Sequence, residues 1–281
     1  IENGMDPCTY FSLAEVTYTN YDNWTPSNSG SAGDDAHVNY TLEKALSNSI
    51  NTIAVKVLNK VGIPKVLEQA EKMGISKELP NEPSLALGVA QIGLKELTGA
   101  YASYVNKGKP VKPYYITKIE DRNGNVIFDF ESEFSKEQAY SDYTRQVMLE
   151  IMKSTVNSGT ASRLRSTYNL KNDIAGKTGT TQNQTDGWFI GMTPDLVSGV
   201  WVGGEDQAVR FNSIRYGQGA NMALPIWGYF MNKVYKDSSL NISTGDFEAP
   251  SNYIDTYTNC NEQDDNSPID FLDFGDGLLI D

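Results

Sequence analysis

The order of its elements predicts that this 281-residue chain folds as an α+β domain with an antiparallel sheet near its C-terminal end. Helical apolar spacing dominates the first part of the chain. An Asn123-Gly124 pair between two apolar runs then indicates a β-hairpin. Short strands follow one another closely after residue 174, as in a meander. Helices first and antiparallel strands later are typical of α+β domains.

The predicted helices are recognised by apolar residues three and four positions apart. Between Thr41 and Leu58 a polar run over 47–52 interrupts this spacing, so we predict two helices with a junction between them. Proline begins one segment and glycine residues end several of them. The predicted helices are 41–58 with its junction, 64–73, 94–107, 137–155 and 223–234, whereas 1–40 is turn-rich and has no clear period.

The predicted strands fall into two groups. Residues 114–120 and 126–130 flank the Asn-Gly turn. A second hairpin begins at 174 and returns through an aromatic-rich segment after Thr185, and residues 197–202 add a third strand. We therefore expect a three-stranded meander followed by an apolar helix.

The strand after Ile174 consists almost wholly of small residues and reads Ala-Gly-Lys-Thr-Gly-Thr. Glycine weakens a strand interior, so this composition favours a strand with another backbone close against it. Lys177 adds a positive charge, while Thr178 and Thr180 place hydroxyls on alternate positions. Such a strand can pair with an extended peptide and bind its carboxylate. An isolated Lys-Thr-Gly triplet is also typical of a tight turn, so the flanking residues carry the interpretation.

The helix junction contains the second candidate for chemistry, Ser49 and Asn51. A Ser-x-Asn pattern alone means little, since Ser239-Leu240-Asn241 repeats it and a helix cap explains it. At a junction between two helices, however, both side chains can reach one cavity. There a serine can relay a proton and an asparagine can bind an amide.

Composition excludes several classes of site. His37 is the single histidine, so a His-rich metal site is impossible. Cys8 and Cys260 are too few for a zinc or disulfide framework, and whether they pair is open. No apolar run reaches membrane-spanning length. We expect no metal and no cofactor.

The net charge of −13 is concentrated at the C-terminal end. Residues 245–281 contain ten acidic residues and no Lys or Arg. The rest of the chain is nearly neutral and offers no electrostatic surface for nucleic acid. Proline in the Asp-rich run at 264–268 argues against a calcium loop. We expect a domain over 1–240 and a solvated acidic tail over 241–281.

Six blocks in order resemble the transpeptidase domain of class A, bifunctional penicillin-binding proteins. The blocks are Trp-Thr-Pro-Ser-Asn at 24–28, the segment 41–55 around Ser49 and Asn51, Pro-Ser-Leu-Ala-Leu-Gly at 83–88, 111–116 with 121–124, Ala-Gly-Lys-Thr-Gly-Thr-Thr at 175–181, and Gly-Val-Trp-Val-Gly at 199–203. The resemblance covers about 1–236 and implies the penicilloyl-serine-transferase fold, an antiparallel sheet flanked by helices plus a helical lobe.

The family uses three motifs, of which the Ser-x-Asn and Lys-Thr-Gly motifs are present and Ser-x-x-Lys is absent. No serine in this chain has lysine three positions later. Because that motif lies just before the stretch matching residues 2–8 in the family, we expect the chain to lack its nucleophile, the first part of the fold and covalent activity of its own. An upstream membrane anchor and a glycosyltransferase domain are likewise expected to lie outside this chain.

The resemblance also implies a role for each site residue. Ser49 would shuttle a proton to the leaving amine, Asn51 would hold the amide of the donor peptide, and Lys177 would polarise that relay and attract the substrate carboxylate. Thr178 and Thr180 would bind the carboxylate, and Gly179 would keep the strand open to substrate. The Thr180 N–H would form half of an oxyanion hole.

The implied reaction is D,D-transpeptidation of peptidoglycan stem peptides ending in D-Ala-D-Ala, outside the cytoplasmic membrane, with β-lactams as inhibitors. Two alternatives remain open at this point. One is a serine β-lactamase or penicillin sensor, against which the blocks at 83–88 and 196–204 argue. The other is a non-catalytic cell-envelope binding module, which the acidic tail and the many Tyr and Trp residues suggest.

Overall fold

The computed structural model describes residues 1–29, 37–130, 137–248 and 260. Its helices are α1 (Leu42–Ser47), α2 (Asn51–Val61), α3 (Ile63–Lys72), α4 (Leu94–Ala102), α5 (Asp142–Asn157), α6 (Arg163–Ser166), α7 (Ile214–Gly217) and α8 (Gly219–Val234). Its strands are β1 (Tyr10–Ser12), β2 (Asn39–Thr41), β3 (Lys118–Glu120), β4 (Val126–Asp129), β5 (Ala175–Thr180), β6 (Asp186–Met192) and β7 (Val197–Gly203). The α+β prediction is confirmed.

The predicted break between two helices is confirmed and has a local cause. Thr41 caps α1, because its hydroxyl accepts a hydrogen bond from the Lys44 N–H at 3.1 Å. After α1 ends at Ser47, Ser49 adopts a positive φ of 56°. This left-handed conformation ends the first helix and turns the chain before α2 begins at Asn51.

Several predicted boundaries differ from the observed ones. The segment 94–107 is helical only as far as Ala102 and continues as turns. The helix predicted at 137 begins at Asp142, because the Ser141 hydroxyl accepts from the Thr144 N–H and caps it there. The first strand of the Asn-Gly hairpin is confined to β3, and the last predicted helix begins earlier, at Gly219.

Residues 1–40, for which the sequence shows no period, contribute two strands. β1 and β2 pair antiparallel, with Phe11 opposite Tyr40. Strands of three residues are too short to show a period-two pattern, which explains why the sequence did not indicate them.

The strands β5, β6 and β7 form the predicted antiparallel meander in that spatial order. Lys177 lies opposite Ile190, and Thr180 lies opposite Gly187. Because side chains alternate between faces, Ala175, Lys177 and Gly179 share one face and Gly176, Thr178 and Thr180 share the other.

Helices cover both faces of this sheet. Phe189 and Trp227 pack edge to face between the sheet and α8, with ring centroids 5.2 Å apart in a fully buried cluster. On the other face Ala175 and Met192 pack against Leu149 of α5. The meander is therefore the central layer of a three-layer arrangement, and β5 lies beside the ends of several helices.

A glycine at the start of α8 allows this helix to approach the sheet closely. A Cβ on Gly219 would overlap the carbonyl oxygen of Gly179 and lie 2.6 Å from that of Trp188. Real Cβ atoms do not come this close to backbone oxygens, so only glycine allows the α8 terminus to lie here. The first turn of α8 therefore lies directly against the backbone of β5 and β6.

Segments from the two ends of the described chain lie together near the start of α5. The Glu2 carboxylate accepts a hydrogen bond from the Ser141 hydroxyl at 2.8 Å, and Glu248 lies 3.5 Å from the buried Arg145. Cys8 and Cys260 form a disulfide, which resolves the pairing that the sequence left open. The domain boundary at residue 240 and the solvated acidic tail stay predictions, since residues 249–259 and 261–281 lie outside the described part.

Within the described part of the chain, no helix has the length and apolar character needed to cross a membrane.

Candidate active site

Lys177 and Ser49 come into direct contact although they belong to distant segments. Lys177 lies in the middle of β5, and Ser49 lies in the junction between α1 and α2. The Lys177 ammonium donates hydrogen bonds to the Ser49 hydroxyl and, at 3.0 Å, to the Thr178 carbonyl oxygen. The structure therefore places both predicted motifs in one site.

The junction around Ser49 is fixed by its backbone turn and by the loop that contains Ser27 and Asn28. The positive φ of Ser49 turns its backbone between the two helices. The Asn51 side chain donates to the Ser27 carbonyl at 3.0 Å, and the Asn28 carboxamide oxygen accepts from the Thr52 N–H at 3.1 Å. The loop before β2 thus fixes the start of α2. One side-chain N–H of Asn51 is used in this way, which leaves its carboxamide oxygen for another partner.

Burial changes the titration of Lys177. Desolvation disfavours the charged amine and lowers the pKa of Lys177 to about 8. At pH 7 about one tenth of the molecules carry a neutral amine here. The residue is therefore mostly a cation at neutral pH, yet close enough to neutrality to exchange a proton with a neighbouring hydroxyl.

The two threonines of β5 are held by different partners. The hydroxyls of Thr178 and Thr160 share a hydrogen bond of 2.7 Å. The Thr180 hydroxyl accepts from the Gly219 N–H at 3.0 Å, at the start of α8. Each hydroxyl is thereby oriented by a neighbouring element. Thr180, the more exposed of the two, keeps its proton for donation outward.

Gly179 lies at the centre of this site. A Cβ there would lie 3.1 Å from the Cβ of Trp188, on the face of the sheet that carries Lys177. Trp188 and Trp201 lie side by side on the same face, with ring centroids 6.2 Å apart. Trp201 is 40% exposed, so the sheet presents part of an apolar side chain to solvent on the Lys177 face.

All six predicted site residues therefore lie in one region: Ser49 and Asn51 at the helix junction, and Lys177, Thr178, Gly179 and Thr180 on β5. Thr160 is the residue that sequence reasoning missed. Its N–H donates to the Ser47 carbonyl at 3.1 Å while its hydroxyl contacts Thr178, so it links the two motifs. No local pattern marks a threonine after a helix as such a link.

The donor set of the site does not suit a metal. Its polar groups are hydroxyls, one carboxamide and one ammonium, whereas metal sites in proteins use carboxylate, imidazole or thiolate groups. Across the described residues, no group of three His, Cys, Asp or Glu side chains could hold a metal ion. The arrangement is suited to proton transfer and to binding a carboxylate.

A family model described as "Penicillin binding protein transpeptidase domain" matches residues 1–204. Penicillin-binding protein 1A of Aquifex aeolicus is 36% identical over 233 residues, which cover 83% of this chain and 30% of that protein. Its counterpart in Rickettsia prowazekii is 31% identical over 262 residues, covering 84% of this chain and 32% of that protein. This chain thus spans about a third of the length of these relatives.

Solved structures show the same fold. Penicillin-binding protein 1A from Haemophilus influenzae superimposes with a TM-score of 0.74 at 24% identity, covering 89% of this chain and 41% of that chain. The penicillin-binding protein PonA1 from Mycobacterium tuberculosis superimposes with a TM-score of 0.73 at 23% identity, covering 89% of this chain and 67% of that chain. A second PonA1 structure, in complex with penicillin V, superimposes with a TM-score of 0.72 at 24% identity, covering 89% of this chain and 68% of that chain.

Proposed function

Because the chain belongs to the family of penicillin-binding protein transpeptidase domains, we propose that it forms part of the catalytic domain of a peptidoglycan D,D-transpeptidase. The enzyme would cross-link stem peptides ending in D-Ala-D-Ala through an acyl-serine intermediate, and β-lactams would acylate the same serine. The observation that carries the proposal is the hydrogen bond from Lys177 to Ser49, which joins the two motifs.

In the proposed reaction, a serine hydroxyl attacks the carbonyl carbon of the penultimate D-Ala. The bond to the terminal D-Ala then breaks, and its amine leaves with a proton delivered by Ser49. The acceptor amine of a second stem peptide next attacks the ester, loses its proton to the same relay and releases the serine. No oxidant, metal or cofactor enters this exchange.

Lys177 supports the relay electrostatically. Its ammonium donates to the Ser49 oxygen, so the Ser49 proton points toward the reacting atoms. The same positive charge attracts the substrate carboxylate, and the Thr178 and Thr180 hydroxyls bind it. Asn51 binds the donor amide through the carboxamide group that its bond to Ser27 orients. The backbone N–H of Thr180 provides one oxyanion-hole donor, a contribution often worth about 2.7–4 kcal/mol.

The nucleophilic serine, in this proposal, belongs to a part of the protein outside these 281 residues. Two observations support this assignment. No serine of the chain has lysine three positions later. The apolar surface formed by Trp188 and Trp201 lies on the Lys177 face, where a further helix can pack beside the relay. These residues alone would then form no acyl-enzyme.

The proposed partners and compartment follow from the substrate. They are peptidoglycan stem peptides and β-lactams at the extracytoplasmic face of the bacterial inner membrane, with attachment through an upstream anchor and no role for nucleic acid. The Cys8–Cys260 disulfide supports a location outside the cytoplasm, since disulfides persist in oxidising compartments.

The test is labelling with a fluorescent penicillin, followed by peptide mapping of the adduct by mass spectrometry. The full-length protein should form one stable adduct on a serine upstream of Ile1, and the 281-residue chain should form none. Heat-denatured full-length protein is the control for nonspecific acylation.

An adduct on any serine of the 281-residue chain would overturn the placement of the nucleophile. A folded full-length protein without any adduct would overturn the proposed activity. Slow turnover of the adduct separates a transpeptidase from a β-lactamase, which hydrolyses it rapidly.

A further inference from the structure

The segment that contains Cys8 lies at the start of the helix that leads to Ser49. The carbonyl of Pro7 accepts from the Glu43 N–H at 3.2 Å, and that of Thr9 accepts from the Leu42 N–H at 3.1 Å. Residues on both sides of Cys8 therefore hold the first turn of α1. Since α1 has six residues, its far end and the Ser49 turn lie about 9 Å away along the helix axis.

The same segment is also tied to α5. The Glu2 carboxylate accepts hydrogen bonds from the Ser141 and Thr144 hydroxyls and from the Ser141 N–H, at the start of α5. Beyond the other end of α5, the Thr160 N–H donates to Ser47, and the Thr160 hydroxyl contacts Thr178. Segment 1–9 thus contacts both helices that lead to the proposed relay.

The third attachment of this segment is covalent. Cys8 is bonded to Cys260, 252 positions away. The last described segment before Cys260 is also attached to the domain, since Phe247 packs on the core beneath α5 and its N–H donates to the Asp173 carboxylate at 3.2 Å. Hydrogen bonds between exposed polar groups break and reform readily, whereas a disulfide holds its two segments together until it is reduced.

We propose that the Cys8–Cys260 disulfide is a positioning element for the acylation reaction. This inference rests on the proposed function, in which the nucleophile precedes residue 1. The disulfide would then hold the stretch of chain between the nucleophile and the Ser49 relay. Neither cysteine touches substrate. Their bond limits the movement of segment 1–9 and so keeps the attacking serine at hydrogen-bonding distance from Ser49 and Lys177, where small displacements cost large factors in rate.

The step that cancels this effect is thiol–disulfide exchange. A dithiol reductant such as dithiothreitol gives two electrons and two protons to the disulfide, which becomes the two thiols of Cys8 and Cys260, while the reductant becomes a cyclic disulfide. Segment 1–9 then keeps only its noncovalent contacts. The proposal predicts slower acylation of the reduced protein without unfolding.

The experiment measures acylation of oxidised and dithiothreitol-reduced full-length protein by a fluorescent penicillin. We expect the second-order rate constant to fall about tenfold on reduction, in line with the effect of about one ångström of misplacement or less. Reoxidation should restore the rate. We also expect the rate to fall as the pH rises through the Lys177 pKa of about 8. The midpoint of this fall should be the same before and after reduction, because the disulfide acts on the serine segment and not on the lysine. If reduction instead loosened the whole site, the environment of Lys177 would change, and the pH at which the rate falls would shift.

A double variant, Cys8→Ser with Cys260→Ser, is the matched control. It should acylate at the slow rate of the reduced parent and should not respond to dithiothreitol. Cys8→Ala with Cys260→Ala serves as a second pair if the serine variant does not fold, as circular dichroism shows. Acylation of either folded double variant at the rate of the oxidised parent overturns the inference. So does an equal effect of dithiothreitol on parent and double variant. Failure of the oxidised parent to acylate would instead count against the proposed function.

Discussion

The Lys177 ammonium donates a hydrogen bond to the Ser49 hydroxyl across 128 positions of sequence. One partner lies on a strand of small residues, and the other lies at a helix break with left-handed backbone. Their contact joins the two sequence motifs in one site. The pair is therefore the part of the site whose removal should have the clearest effect.

Replacing Lys177 with alanine in the full-length protein should slow acylation by penicillin at least about a hundredfold, because the Ser49 relay loses its charged partner. Lys171→Ala is the matched control, since Lys171 is an exposed lysine just before β5. The measurement is the second-order rate constant by stopped-flow or quenched labelling. Equal rates for the two variants would show that Lys177 takes no part in acylation and that β5 has a structural role only.

The acylation rate should fall as the pH rises through about 8. Burial lowers the pKa of Lys177 to about 8, and the protonated form is the one that donates to Ser49 and attracts carboxylate. Between pH 7 and 9 the charged fraction falls from about nine tenths to about one tenth. A pH–rate profile of the parent should show this limb, and Lys177→Ala should lack it. If the rate of both proteins fell at the same pH, a group other than Lys177 would be responsible for the pH dependence.

The same shift makes a prediction about stability. A lysine whose pKa is lower in the folded state binds fewer protons there than in the unfolded state between about pH 8 and its ordinary value near 10.4. The contribution of Lys177 to the free energy of unfolding should therefore rise with pH across this window. Thermal unfolding of the parent against Lys177→Met measures it. If the difference in unfolding free energy between the two proteins did not change with pH, this prediction would be wrong.

Replacing Thr178 with valine should weaken ligands that bear a carboxylate more than their neutral analogues. Valine removes the hydroxyl that contacts Thr160 and that we assign to the carboxylate, at a cost of about tenfold for a hydrogen bond to a charged group. Thr178→Ser keeps the hydroxyl and serves as the control. The comparison is acylation by a penicillin and by its methyl ester. An equal loss for both ligands would leave Thr178 with a structural role only.

Gly219→Ala should lower the free energy of unfolding by more than about 2 kcal/mol, since its Cβ would overlap backbone oxygens of β5 and β6 that cannot move aside. Gly93→Ala is the control, because a Cβ at this exposed glycine would meet no atom within 4 Å. Thermal unfolding of the two variants measures the difference. A Gly219→Ala protein as stable as Gly93→Ala would mean that α8 does not pack against Gly179 as described.

Much of the fold could be predicted from the sequence, because its signals are local. Apolar spacing reports which face of a helix is buried, and the polar run at 47–52 marked the helix break. The small residues from Ala175 to Thr180 indicated a strand with a close neighbour. The resemblance of six ordered blocks to one family identified both motifs and all six candidate residues. Strands as short as β1 and β2, by contrast, carry no period that a sequence can show.

Only the tertiary structure decided what these residues contact. The pairing of Lys177 with Ser49, the link through Thr160, the packing of Gly219 on Gly179 and the Cys8–Cys260 bond all join segments far apart in the chain. Such contacts depend on how completed helices and strands pack, and local patterns carry no information about them. The sequence determines the chemical type of each side chain. Its partner and its orientation result from the tertiary packing, and so does the lowered pKa of Lys177, which burial causes.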